Sequence, residues 1–300
     1  MRLLELRERV ATFWLAPEHA SNVIAARILL AASGLWLILS RHDLPGVLSL
    51  PKAILATIPM QQRVRFLILM PVGIERVLWV ALHIALLAAL FGIWSRWSCL
   101  AAGLLLYHFG PFETIIWTPN PYLRGVTIPC LGLLIISFAT SSGDSAGPGW
   151  ALRLTQLLFA EIYFFAGYSK LFASGLAWLG ANNMQHYLTG LDQFLGFSAA
   201  PTVGHWLAQF PLVCSTIAVI GLVFELAFPL VLFFRRLRWI FIPMAFFFHV
   251  ANWLVFHIFF QNAFLLLMFV NWEWVLARVV YARYHRRGPK KEIEWVNSSG

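Results

Sequence analysis

Residues 151–173, ALRLTQLLFAEIYFFAGYSKLFA, form an apolar run of bilayer length that still carries Glu161 and Lys170. A helix needs about 20 mainly apolar residues to cross the hydrocarbon core, and this stretch supplies them. Runs of the same kind recur outward from it at 22–40, 77–94, 97–117, 126–141, 212–234, 238–257 and 259–277. The expected fold is therefore all-α, a polytopic transmembrane helix bundle of about eight spans. Ahead of the first span, residues 3–15 alternate Leu, Val, Phe and Trp with Arg and Glu at helical spacing, the pattern of an amphipathic helix lying in the interface. Residues 41–76 contain Pro45, Pro51, Pro59 and Pro71 among basic residues, so a long connection with short interfacial or re-entrant helices is expected there.

Composition agrees. Of 300 residues 60% are hydrophobic and 12% charged, against about 25% charged in soluble domains, which excludes an ordinary soluble domain. The spans and their loops use most of the chain, so residues 1–280 read as one membrane domain and 281–300 as a basic cytoplasmic tail. The formal charge of +9 lies in short clusters beside spans rather than on a folded basic face, which excludes nucleic acid as a partner and makes these residues topology signals. The basic N-terminus, RRLR at 235–238 and RYHRRGPKK at 283–291 all belong in the cytoplasm, and an even number of spans satisfies the three together. Residues 171–210 contain no Lys or Arg and fall on the outer side. Cys99, Cys130 and Cys214 sit in apolar stretches without metal-ligand spacing, so neither a disulfide nor a metal site is expected. MRLLELRERVATFWLAPEH lacks the short apolar core and small-residue cleavage site of a secretory signal, and it should be retained.

Charged groups at bilayer depth cost at least ~2.5–3.5 kcal/mol each, so those that occur face the bundle interior and often mark a site. Here they are Arg27, His83, His108, Glu161, Lys170, Glu225, His249 and His257. Arg27 is expected to form a structural ion pair with Glu161 or Glu225. His83, alone on an apolar helix, reads as a packing or helix-linking residue. Gln156, Tyr163 and Lys170 recur every seven residues and share one stripe of a helix, with Gly167 near the same face. Two readings of Lys170 stand: a desolvated amine able to act as a base, or a lysine snorkelling to the outer interface. His249 and Asn252, spaced i and i+3, share a face on which they could orient a carbonyl or relay protons. There is no HExxH, CxxC, phosphate-binding glycine loop or GxSxG elbow.

YFFAGYSKL at 163–171, followed by Trp178 and Gly180, resembles the Y-F-x-A-G-x-K-K-L, W, G motif of the vitamin K-dependent gamma-carboxylases and of the wider horizontally transferred transmembrane (HTTM) domain family. Arg27 in the first span, Glu225-Leu226 before the Arg-rich turn, and Phe248-His249-x-x-Asn252 agree in order, and the resemblance covers nearly the whole chain. It implies that Lys170 is the base that deprotonates a reduced quinone, with His249 as the second catalytic residue and Tyr163, Gly167, Asn252, Asn120 and Trp178 binding the substrate. WTPNPYL at 117–123 is similar to the family's W-N-N-H-S-Y-L, but Asn120 stands where the carboxylases have a histidine, and Ser169 replaces the first lysine of the pair. The carboxylases also have a large extramembrane domain for their protein substrates, which these 300 residues do not contain. The expectation is therefore an integral protein of a bacterial inner membrane, possessing a quinone- or lipid-sized site and a quinol-dependent oxygenase or carboxylase-like activity at Lys170. A non-catalytic membrane protein that binds a lipid, quinone, peptide or protein partner is the alternative, and a transporter comes third.

Overall fold

The computed structural model describes residues 2–40, 71–116, 124–139, 146–147, 149–194, 203–256, 260 and 262–286. Helix α1 (Arg2–Leu15) leads into a two-residue strand β1 (Glu18–His19), then α2 (Ala20–Leu39), α3 (Val72–Phe91), α4 (Ser95–Ile116) and α5 (Arg124–Ser137). Strand β2 (Ala146–Gly147) pairs antiparallel with β1, and α6 (Gly149–Ser174) follows it. A 3₁₀ helix (Gly175–Leu179), α7 (Ala181–Phe194), α8 (Val203–Leu207), α9 (Pro211–Ala227), α10 (Leu230–Phe233) and α11 (Arg235–Phe256) come next. A second 3₁₀ helix (Ala263–Phe269) and α12 (Trp272–Arg286) complete the described chain.

Helices α2, α3 and α11 are long and apolar enough to cross a membrane. On α3 the outward residues Ile74, Val77, Val80, Ile84, Leu87 and Phe91 are all exposed, at the three-to-four-residue spacing of one helical face. Water would not tolerate a continuous apolar stripe of that length, whereas lipid requires it. The chain is a membrane protein, and these are the lipid-facing surfaces of its bundle.

Neighbouring helices run in opposite directions. Gly34 of α2 meets Leu86 of α3 while Arg27, nearer the start of α2, meets Gly92 just past the end of α3. Likewise Gly103 of α4 faces Leu134 of α5, and Gly110 faces Val126. Small residues let helix backbones approach closely where lipid supplies no hydrophobic drive between helices. A Cβ on Gly103 would lie 3.1 Å from the carbonyl oxygen of Cys130 on the facing helix, whose thiol donates to the Gly103 carbonyl at 3.3 Å.

Arg27 is not paired with Glu161 or Glu225. Its guanidinium donates to Ser95 Oγ, which in turn donates to the Gly92 carbonyl at 3.0 Å, so the charge sits at the C-terminal end of α3, where the helix dipole favours a cation. Gly92 makes this possible. It adopts φ +78°, and a Cβ there would fall 2.5 Å from Arg27 Nη1. Gly92→Ala is expected to lower stability by at least ~1–2 kcal/mol for the left-handed backbone alone, plus the overlap with Arg27. Thermal unfolding in detergent checks this against Gly73→Ala, where nothing lies within 4 Å and no loss is expected.

The run expected as a span at 259–277 is not one helix. Asn262 accepts from Ser33 and donates to the Gly125 carbonyl, Gln156 donates to the Met268 carbonyl, and the Trp272 amide donates to Asn22. Between Asn262 and Trp272 the chain thus descends from the level of Ser33 to that of Asn22, about 17 Å along α2 at 1.5 Å per residue. It does so through a 3₁₀ segment in which Leu265, Leu266, Met268 and Phe269 are buried. Irregular backbone is tolerated at this depth because protein surrounds it, and α12 starts only beyond. The run at 212–234 is also interrupted, with Pro229 standing between α9 and α10. The connection expected at 41–76 lies outside the described residues up to position 70, and α3 begins at Val72.

Candidate functional site

Helix α6 carries the stripe that sequence spacing picked out. Gln156, Tyr163 and Gly167 are buried on it, facing α9, α11 and the second 3₁₀ helix. Gln156 donates to the Met268 carbonyl at 2.7 Å, which anchors the 3₁₀ crossing.

Two hydrogen-bonded couples stand above it. Tyr163 Oη and His249 Nε2 are 2.6 Å apart, joining α6 to α11. Tyr163 stacks on Phe228 with centroids 4.1 Å apart and meets Phe224 edge-on at 5.5 Å. His249 packs against Phe260 at 4.8 Å, and its Nδ1 is buried with no partner among the described residues. Which ring nitrogen carries the proton follows from the direction of the Tyr163 bond, so Nδ1 is a donor if Tyr163 donates and an acceptor if it accepts.

Two turns on, Lys170 Nζ donates to both carboxylate oxygens of Glu225 on α9, and Nζ lies 5.3 Å from the Trp178 ring centroid. Gly167 permits this pairing, because a Cβ there would come within 3.1 Å of Glu225 Cβ and 3.0 Å of Leu226 Cγ. Lys170 is turned onto Glu225 of the neighbouring helix rather than left unpaired. Beyond it lies a second apolar cluster, with Met184 and Leu188 of α7 packed on Cys214 and Ala218 of α9 and flanked by Trp178. The Lys170 side chain is 26% exposed and that of Glu225 4%.

Of the other residues singled out by sequence, Asn252 donates to the Phe248 carbonyl of its own helix at 2.7 Å, and Glu161 is exposed on α6. Asn120 and His257 lie outside the described residues. His83 bonds the Trp79 carbonyl on its own helix and packs edge-on to that indole. Sequence reasoning left two couplings unseen. Glu225 stood as one of two candidate partners for Arg27, although it is the one carboxylate in the run 212–234 and therefore a natural partner for a lysine on the neighbouring helix. The second is His108 Nε2 to Glu75 Oε2 at 2.8 Å, which joins α4 to α3 with Glu75 almost fully buried.

The arrangement gathers a phenol, an imidazole, an ammonium and a carboxylate in two couples set along one helix. Within a membrane protein such groups are costly to bury unless they are paired, and they often mark a site. No curated protein and no solved structure matches the chain. The HTTM domain model matches residues 17–274, nearly the whole of the described fold and all of the residues of both couples, and the chain belongs to the HTTM domain family.

Proposed function

We propose that the chain crosses a bacterial inner membrane eight times, with both termini cytoplasmic, and that the half of the bundle around Lys170 handles a reduced quinone by acid–base chemistry. The observation that carries this reading is the pair of hydrogen-bonded couples, Tyr163–His249 and Lys170–Glu225, seven residues apart on one face of α6. The membership in a gamma-carboxylase-related family supports it. The orphaned His249 Nδ1, set beside Phe260, suits an oxygen on an aromatic ring.

A reduced quinone bound there supplies an acidic phenol and two electrons. Lys170 serves as the base once the proton on Nζ has passed to Glu225, the acceptor already in contact with it. His249 Nδ1 offers the remaining hydrogen bond that orients a ring oxygen, and Tyr163 fixes the imidazole tautomer from the other side. An oxygenase or carboxylase-like reaction of the quinol is the activity this machinery suits.

The test is binding and oxygen uptake with a reduced naphthoquinone and the purified chain in detergent. Saturable binding by the intact protein is expected, with uptake reduced by about 10²–10⁴-fold in Lys170→Ala, the usual contribution of a general base. Absence of binding by folded protein would sink the proposal. A second reading has its own observation: both Glu225 oxygens are engaged by Lys170, as in a static clasp between α6 and α9. On that reading the chain binds a lipid, quinone or peptide without turnover, and binding without oxygen uptake would be the result.

A further inference from the structure

At the other end of α6 from Lys170, about 25 Å away at 1.5 Å per residue from Arg153, the bundle opens into a cleft of about 760 Å³. Its walls come from the last turns of α1, the starts of α2, α6 and α11, the end of α10 and the stretch 268–275. The polar wall holds Arg153, Arg235 and Arg238 against Glu18 and Glu273.

These charges are unequally committed. Glu18 accepts from Asn22 at 2.7 Å and pairs with Arg153 at 3.4 Å, so one carboxylate is already satisfied. Arg153 also donates to the Trp14 and Ala16 carbonyls, and Arg238 to those of Val231 and Phe269, which fixes both guanidinium groups without neutralising them. Arg235 forms no ion pair among the described residues. Three cations against two carboxylates leave a net positive site.

The opposite wall is apolar and faces lipid. Phe233, Trp239 and Trp274 are exposed there, Trp239 and Trp274 edge-to-face at 5.9 Å, and indoles of this kind settle at the headgroup level of a bilayer. A cleft with cations at one end, aromatic and aliphatic surface at the other, and a volume within the ~300–1,000 Å³ of small-molecule sites is much too large for a bare phosphate and has the polarity of an amphiphile.

We propose that this cleft binds the phosphodiester headgroup of an anionic phospholipid. Arg235 makes the principal contact, Arg153 and Arg238 supply the flanking charge, and the acyl chains leave along α11 past Trp239 and Ile242. Arginine forks match phosphate oxygens in pairs, and basic pockets between helices on the cytoplasmic side are suited to such headgroups.

Native mass spectrometry of the full chain in detergent, titrated with dioctanoyl phosphatidylglycerol, dioctanoyl phosphatidylcholine and glycerol 3-phosphate, tests this. One equivalent of phosphatidylglycerol is expected to bind at least tenfold tighter than phosphatidylcholine. Arg235→Gln should weaken that binding about tenfold, and Trp239→Ala should weaken it without altering retention of glycerol 3-phosphate. Arg236→Gln, which removes the same charge from the adjacent exposed position outside the cleft, should change nothing. Equal losses in Arg235→Gln and Arg236→Gln would reduce the effect to general surface charge and overturn the proposal. So would equal affinity for the zwitterionic lipid, or glycerol 3-phosphate binding as tightly as the lipid, which would make the ligand a soluble phosphate.

Discussion

Glu225→Leu is expected to destabilise the protein by about 3 kcal/mol, the lower end of the range for breaking a buried ion pair from one side. Glu225 is 3% exposed, so its removal leaves the Lys170 ammonium without its counter-ion among apolar residues of α9 and α6. The lower end applies because the Lys170 side chain keeps 26% of its exposure, and solvent and headgroups screen what remains. Lys170→Met leaves the more deeply buried carboxylate unpaired and should cost as much or more. The double variant Lys170→Met/Glu225→Leu removes both charges and replaces them with groups of similar volume, and it should recover most of the loss. Denaturant unfolding in mixed micelles gives the three values and their coupling energy. A coupling of at least ~2 kcal/mol is the expected result, and a value near zero would mean that the two side chains do not meet in the membrane. The double variant also separates structure from chemistry, since it should be folded yet unable to accept a proton from a quinol.

The parts of this fold that could be read from sequence are those governed by length and polarity. The apolar runs at 22–40, 77–94 and 238–257 became α2, α3 and α11 because a helix that satisfies its own backbone in lipid has little freedom of length. The amphipathic run at 3–15 became α1 for the same reason applied at the interface. The 259–277 run misled because hydropathy reports what can lie in a membrane and not in which backbone form. Its deciding feature is Asn262, whose side chain bonds both α2 and α5 and fixes a buried 3₁₀ segment. Helix α7 escaped notice because it packs on α9 beyond Lys170, in a stretch without membrane-length apolarity. At the candidate site, the seven-residue spacing of Tyr163 and Lys170 was visible, since helical periodicity alone puts them on one face. Their partners were not. Whether Glu225 meets Arg27 or Lys170 depends on which helices are neighbours, and that is settled by Gly92 and Gly167, the two small residues that open room for Arg27 at α3 and for Glu225 at α6.

Phe228→Ala is expected to be the most damaging truncation near the site, at about 2–4 kcal/mol. The ring is fully buried at the end of α9, stacked on Tyr163 and edge-on to Phe224 at 5.7 Å and Phe269 at 5.8 Å. In soluble cores such a change costs about 3–5 kcal/mol, the sum of a lost transfer term and a cavity term. In a bilayer the transfer term shrinks, because the separated helix would meet acyl chains as apolar as the core. The cavity term survives, since the aromatic neighbours Tyr163, Phe224, Phe241 and Phe269 lose their contacts whatever solvent surrounds the bundle. Phe228→Leu, which keeps most of the volume, should cost about 1 kcal/mol. The chemistry should follow the packing: with its stacking face gone, the Tyr163 phenol is freed from the 2.6 Å contact with His249, and binding of a reduced naphthoquinone should weaken in Phe228→Ala while Phe228→Leu retains it. Equal stability of the two variants would show that neighbouring side chains or lipid fill the space, and that Phe228 does not hold Tyr163 in place.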